Sequence, residues 1–102
     1  MDTIVPNGEG PALTRGSIGG YEYDRMVLKF SMMDGDSEVP CAISNHAMDQ
    51  LDRVPWTKDE EREEQFLRLR DRIEQCASRK FLNGALEGKP RGIVLRSIDF
   101  RE

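Results

Sequence analysis

Few side chains in this sequence have a type and spacing that suit chemistry. Arg70 stands in an otherwise apolar helical stripe of Phe66, Ile73, Ala77 and Phe81. At 100° per residue it lies about 40° from the axis through Phe66. A guanidinium beside a core must be paired or must reach out along the surface. It is a clamp to a carboxylate, with Asp99, Glu38 and Asp24 as candidate partners, an anion-binding residue at a pocket mouth, or a side chain that snorkels to solvent. His46, the single histidine, falls in the first turn of a short helix, where the dipole disfavours its imidazolium. No serine or cysteine is placed beside it to imply a nucleophile–base pair. The plain reading is a solvated helix residue; the alternatives are catalysis or metal ligation. Trp56 either covers the core where the chain turns or is exposed beside Pro55 as a binding patch, since aromatics are enriched at binding hot spots. Tyr21 and Tyr23 are strand residues or an exposed platform. A ligand-binding version of this chain requires Arg70, His46 and Asp99 to converge on one concave site.

Other patterns fail on inspection. Cys41 and Cys76 are far apart, and two cysteines with one histidine cannot complete a structural zinc site without carboxylate help. They read as small core residues. Asp34 to Glu38 looks briefly like a calcium loop. Its sixth position is Val39 where glycine is needed, and its twelfth is Asn45 where glutamate is needed, so it reads as a hairpin turn. The glycines at 8, 10, 16, 19 and 20 form neither a phosphate-binding loop nor a dinucleotide fingerprint. No catalytic set, metal or cofactor is implied.

Composition narrows the partners. The formal net charge is −4 and the pI about 5.1, with 33% charged and 37% hydrophobic residues. Nucleic-acid binders usually carry a basic stripe. Here Arg62, Arg68, Arg72 and Arg79 are interleaved with carboxylates along one helix, which disfavours nucleic acid. No apolar run approaches the roughly 20 residues of a membrane span. The N-terminus lacks the pattern of a secretory signal. The expected location is the cytoplasm.

The elements that must position these residues follow from periodicity. Residues 1–20 are rich in Gly and Pro and lack a sustained period. They read as a disordered tail, with at most a short strand at Thr3–Val5. Residues 21–102 are then the single domain. Met26, Leu28, Phe30 and Met32 alternate with Val27, Lys29 and Ser31, the period of a half-buried strand. After the turn at Asp34–Ser37, Val39, Cys41 and Ile43 share one side of a second strand. Pro40 places its missing donor away from the partner strand, or the strand lies at an edge. Ser44 caps a short helix through about Arg53, with Ile43 and Met48 at staple spacing. A long helix is expected from Thr57, where Thr57 and Glu60 have capping-box spacing, to a stop at Asn83-Gly84. Its segment Asp59 to Gln65 has no apolar residue and is expected to project into solvent. Gly92 to Ser97 reads as a third strand, and Ile98-Asp99-Phe100 closes the domain.

This ordered set resembles a bacterial family of small proteins catalogued as a domain of unknown function, DUF1488. The matching residues are Tyr23-Asp24, Val27 to Phe30, Val39 to Ser44, Ala47-Met48 and Leu51. The helix pattern of Phe66, Arg70, Ile73, Ala77 and Phe81 follows, then Gly84, Ile93, Leu95 and Asp99-Phe100. The resemblance covers about residues 21 to 100 and implies a compact α+β domain, with no activity to carry over.

The expected fold is α+β in the order β-β-α-α-β. A small antiparallel or mixed sheet carries two helices on one face, the second of them long. The other face, with Val27, Lys29, Ser31, Val94 and Arg96, is half apolar. It and the open strand edges are suited to homodimerisation. The expected function is a non-catalytic interaction or accessory protein whose partner is another protein or itself. The alternative is a small-molecule or anion binder, or an enzyme, with a pocket near Arg70.

Overall fold

The computed structural model describes residues 13–100. Four strands and two helices follow one another as β1 (Thr14–Glu22), β2 (Val27–Asp34), β3 (Ser37–Ser44), α1 (Asn45–Asp52), α2 (Arg62–Leu82) and β4 (Ile93–Leu95). Short 3-10 turns at Asp59–Glu61 and Ser97–Phe100 precede α2 and follow β4. The sheet runs in the order β1-β2-β3-β4. Its first two pairings are antiparallel and the last is parallel. The α+β class, the mixed sheet and the long second helix agree with the sequence reading.

The hairpin β2–β3 folds where period and turn chemistry agree. Leu28, Phe30 and Met32 on β2 and Val39, Cys41 and Ile43 on β3 are buried on one face. Asp34 pairs with Ser37 across the turn, and Gly35 takes a left-handed φ of 63° there. Met26, assigned to the inner face by alternation, is instead 51% exposed with φ 56°. It ends the turn into β2 and does not belong to the strand. Pro40 lies opposite Ser31 of β2, one residue before β4 joins at the Cys41–Ile93 pair. At Pro40 the strand is still an edge, which is where a missing donor is tolerated.

β1 crosses the boundary drawn at residue 20. Residues 14–20, read as tail, form a strand that pairs with β2. Thr3–Val5 lies outside the described residues. Register shifts fall between Arg15 and Ile18 and between Ile18 and Gly20, and two of the half-buried positions of the strand are Gly16 and Gly20, so no apolar alternation shows in the sequence. Gly16 is required by a close approach: a β-carbon there would run into the carbonyl and hydroxyl oxygens of Ser31. Gly16 and Gly19, two of the glycines that suggest a tail, let this strand lie close against its neighbour.

Both helices cover the same face. Ala47, Met48 and Leu51 of α1 join Phe66, Leu69, Ile73, Cys76 and Ala77 of α2 in one core cluster with the inner residues of the sheet. Ser44 caps α1, its hydroxyl accepting from the Ala47 amide at 3.1 Å, and Arg53 closes it in the left-handed region. α2 spans 21 residues, about 31 Å at 1.5 Å per residue. It ends at Asn83, with Gly84 at φ 73°.

The start of α2 differs from the capping-box expectation. Neither Thr57 nor Glu60 caps it, because a 3-10 turn intervenes and neither N-terminus has a side-chain cap. The segment expected to project into solvent does so only in part: Asp59, Glu60, Glu61, Glu63 and Glu64 are exposed, whereas two of its residues turn inward. Arg62 and Gln65 are buried at 3% and 0% exposure. The buried stripe runs Arg62, Gln65, Phe66, Leu69, Ile73, Cys76, Ala77, so the helix is rotated from the Phe66–Arg70–Phe81 axis, and Phe81 is only partly buried.

Candidate functional site

Arg62 and Gln65 enter the protein interior because Asp49 of α1 receives them. The Arg62 Nη1 atom donates to Asp49 Oδ1 and to Gln65 Oε1, each at 2.7 Å, and Nη2 donates to Asp49 Oδ2 at 3.3 Å. Gln65 Nε2 lies within 3.2 Å of Asp49 Oδ1, Asp52 Oδ2 and Thr57 Oγ1. Arg68 completes the network, donating to Asp52 Oδ2 at 2.7 Å. Arg62 Nε is buried with no acceptor among the described residues. Burial pushes the Asp49 carboxyl up, but the hydrogen bonds from Arg62, Gln65 and Thr57 outweigh it and hold the group below its ordinary range. Thr57 thus serves this network and not a capping box. Burial, followed by the charge of Asp59, raises the Tyr21 phenol, which reaches toward the same corner from β1.

Arg70 is paired, but not with the carboxylates expected for it. Its Nε donates to Glu74 Oε2 at 2.9 Å, one helical turn on, and its Nη2 donates to the Gly16 carbonyl of β1 at 3.3 Å. Its guanidinium carbon lies 5.6 Å from the Phe66 ring centroid. Glu74 also accepts from Arg15, at 2.9 to 3.1 Å. Arg70 therefore clamps α2 to β1, and Asp99, Glu38 and Asp24 take no part.

Asp99 belongs to a different lock. Its Oδ2 accepts from the Arg96 amide at 2.7 Å and from Lys80 Nζ at 3.1 Å, while Lys80 also donates to the Val94 carbonyl at 2.8 Å. This ties the end of α2 to β4 and the closing turn. His46 is exposed on α1. Trp56 is 65% exposed and does not cover the core. It lines a cavity of about 320 Å³ with Asp52, Val54, Thr57, Lys58, Glu61, Glu64 and Arg68. Arg70, His46 and Asp99 do not line that cavity, and Arg70 and Asp99 are engaged by separate sets of partners.

The thiols are withdrawn as well. Burial pushes the Cys41 thiol up to about 12 and raises that of Cys76. Both are buried and free of disulfide, so neither supplies a thiolate at neutral pH. Among the described residues no group of three or more His, Cys, Asp or Glu side chains is placed to hold a metal ion. No helix among them is long and apolar enough to cross a membrane.

The uncovered side of the sheet carries the remaining feature. Residues 87–92 form a tight turn in which the Glu87 and Gly92 amides and carbonyls bond each other at 2.8 and 2.9 Å. Arg96 braces it, its two terminal nitrogens donating to the Glu87 oxygens at 2.8 and 2.9 Å. That guanidinium holds the Glu87 carboxyl below its ordinary range. The turn, with Lys89 and Pro90 at its tip, stands over β3 and encloses a cleft of about 250 Å³. Pro40, Ala42 and Val94 give the cleft apolar surface, and Arg25, Lys29 and Lys89 give it cations. Of this set the sequence assigns Lys29 and Val94 to the uncovered face and Pro40 to a strand, and nothing in it joins them to Arg25 and Lys89. The Gly-Lys-Pro run at 88–90 marks a turn, but nothing local indicates which strand it overhangs.

The fold and these sites together define a small α+β domain with a mixed four-stranded sheet covered on one side. The family described as "Protein of unknown function (DUF1488)" matches residues 19–91, and the chain belongs to it. The crystal structure of a DUF1488 protein of unknown function from Shewanella loihica PV-4 has the same fold, with a TM-score of 0.70 at 15% identity. That match covers 87% of this chain and 98% of the other. No curated protein matches the chain.

Proposed function

We propose that this protein is a non-catalytic interaction domain that engages a partner through the uncovered side of its sheet. The observation that carries this reading is a division of labour among the charged groups. Arg62, Arg70 and Lys80, the best shielded cations, are each paired across or along elements with Asp49, Glu74 and Asp99. Such groups fix the helices on the sheet and leave no poised acid, base or nucleophile beside them. The cleft under the 87–92 turn has the opposite character: apolar in the middle, cationic at its border, and built on β3, which is paired on both sides. A preorganised, partly apolar surface of this kind suits protein recognition.

The partner class is a protein, a second copy of this chain included. The reading places the domain in the cytoplasm, where its two buried thiols remain reduced. The alternative of a ligand pocket near Arg70 has less support, because that guanidinium is already occupied by Glu74 and the Gly16 carbonyl.

Site-specific photo-crosslinking tests the proposal. A photoreactive amino acid replaces Lys29 in the cleft or Arg72 on the exposed side of α2, each in the full chain inside cells. Discrete adducts from position 29 and none from position 72 are expected. Equal labelling from both positions, or none from position 29, overturns the reading. Light scattering of the purified chain then separates self-association from a second protein.

A further inference from the structure

The cleft on the sheet also carries an indication of what fills it. The molecule as a whole is acidic, at −4, yet this corner is not. Arg25 and Lys29 share a single carboxylate, Glu22, at 3.7 and 3.8 Å, longer than a hydrogen bond. Lys89 has no ion-pair partner among the described residues. Glu87, the one acid lining the cleft, is already engaged by both terminal nitrogens of Arg96. Cations from three separate segments therefore surround an apolar patch without matching carboxylates. Elsewhere on the molecule Arg15, Arg68, Arg70 and Lys80 all meet acids within 3.1 Å.

Size and shape select among anionic ligands. A volume of about 250 Å³ falls below the roughly 300–1,000 Å³ of sites that engulf small molecules. It accommodates one or two side chains of a longer segment lying across it. The apolar surface of Pro40, Ala42 and Val94 favours an aliphatic side chain there, which a sugar–phosphate backbone does not offer.

We infer that the cleft formed by Arg25, Lys29, Lys89, Pro40, Ala42 and Val94 receives an acidic peptide segment of a partner protein, an aliphatic residue on its floor flanked by carboxylates at its cationic border. This rests on the interaction reading above and adds the chemistry of the occupant. Rim charges of this kind set specificity and association rate more than affinity, so binding should be modest and salt-sensitive.

Fluorescence anisotropy with two labelled synthetic octapeptides on the full chain tests it, one alternating glutamate with valine and one alternating lysine with valine. Saturable binding of the acidic peptide is expected, weakened at least tenfold by the double substitution Lys29→Glu and Lys89→Glu, with the basic peptide now preferred. Both side chains are exposed, so circular dichroism should show an unchanged fold. Absence of saturable binding overturns the inference, as does equal affinity for the variant. Tighter binding of a single-stranded RNA octamer through the same lysines does so too. A partner crosslinked from position 29 through a segment without acidic residues would refute this inference and leave the interaction reading standing. Failure of that crosslink removes both.

Discussion

Arg62 shows how a single side chain sets the geometry of a helix pair. Its guanidinium is 3% exposed, and a buried charge is tolerated only when its partners are in place. Replacing it with methionine keeps most of the volume but leaves Asp49 and Gln65 without their donor. Arg62→Met should therefore lower stability by about 3 kcal/mol, the low end for breaking a buried pair, because Asp49 keeps some access to water. The network also fixes an acid dependence. The folded-state pKa of Asp49 is depressed, so its contribution is fully present above the unfolded value of about 3.9 and is lost as pH falls through the lower folded value. In urea denaturation from pH 7 down to pH 2.5, Asp49→Asn should be less stable than the parent at neutral pH. The gap should close below about pH 4. A gap constant across that range would show that the carboxylate's charge contributes nothing.

At the scale of elements, close backbone approaches matter as much as apolar periodicity. A β-carbon at Gly92 would fall on the Pro40 carbonyl oxygen, where β4 comes alongside β3. Gly92→Ala should cost about 1–3 kcal/mol, as overpacking does. Gly84 offers the comparison. Nothing lies within 4 Å of a β-carbon there, but its φ is 73°, so Gly84→Ala costs about 1–2 kcal/mol of left-handed backbone strain and Gly84→Asn less. Thermal denaturation of the three variants checks this order; an unperturbed Gly92→Ala would mean that β4 is free to shift. The same distinction explains which elements were legible in the sequence. The β2–β3 hairpin, the Ser44 cap and the Asn83-Gly84 stop are each written in a few adjacent residues, and they appear where local rules put them. β1 is not, because glycines hold two of its half-buried positions, 16 and 20, and so no apolar alternation shows there. The stripe of α2 keeps Phe66, Ile73 and Ala77 but is completed by Arg62, Gln65, Leu69 and Cys76 instead of Arg70 and Phe81, for a related reason. Phe66, Leu69, Ile73 and Cys76 continue backward at i−4 to Arg62 and Gln65, but a charged and a polar residue do not look like core until Asp49 is known to face them. The i,i+3 spacings of Asp49 with Asp52 and of Arg62 with Gln65 were the available signal. The cationic cleft had none, since Arg25, Lys29 and Lys89 converge only through the tertiary fold.

For the molecule as a whole, all the elements converge on one core. Leu13, the inner residues of β2, β3 and β4, and the buried stripes of α1 and α2 form a single cluster, with Ile18 and Tyr21 of β1 packed against it. A chain of 102 residues has roughly 5–15 kcal/mol of stability to lose. Phe66 is fully buried at the centre, its ring centroid 4.9 Å from that of Phe30. Phe66→Ala should cost about 3–5 kcal/mol, lowering Tm by roughly 15–30 °C. The molecule also offers a test of whether this loss is shared. Trp56, the only tryptophan, sits at the α1–α2 junction, where its 65% exposure makes it a reporter of that corner and not of the core. Far-UV circular dichroism follows the helices and sheet together. If one core joins every element, the two signals should give superimposable denaturation curves in the parent chain and in Phe66→Ala alike. An earlier Trp56 transition would mean that the Arg62–Asp49 network melts as a separate unit, and the junction between the helices would then be a hinge rather than a fixed support for the sheet.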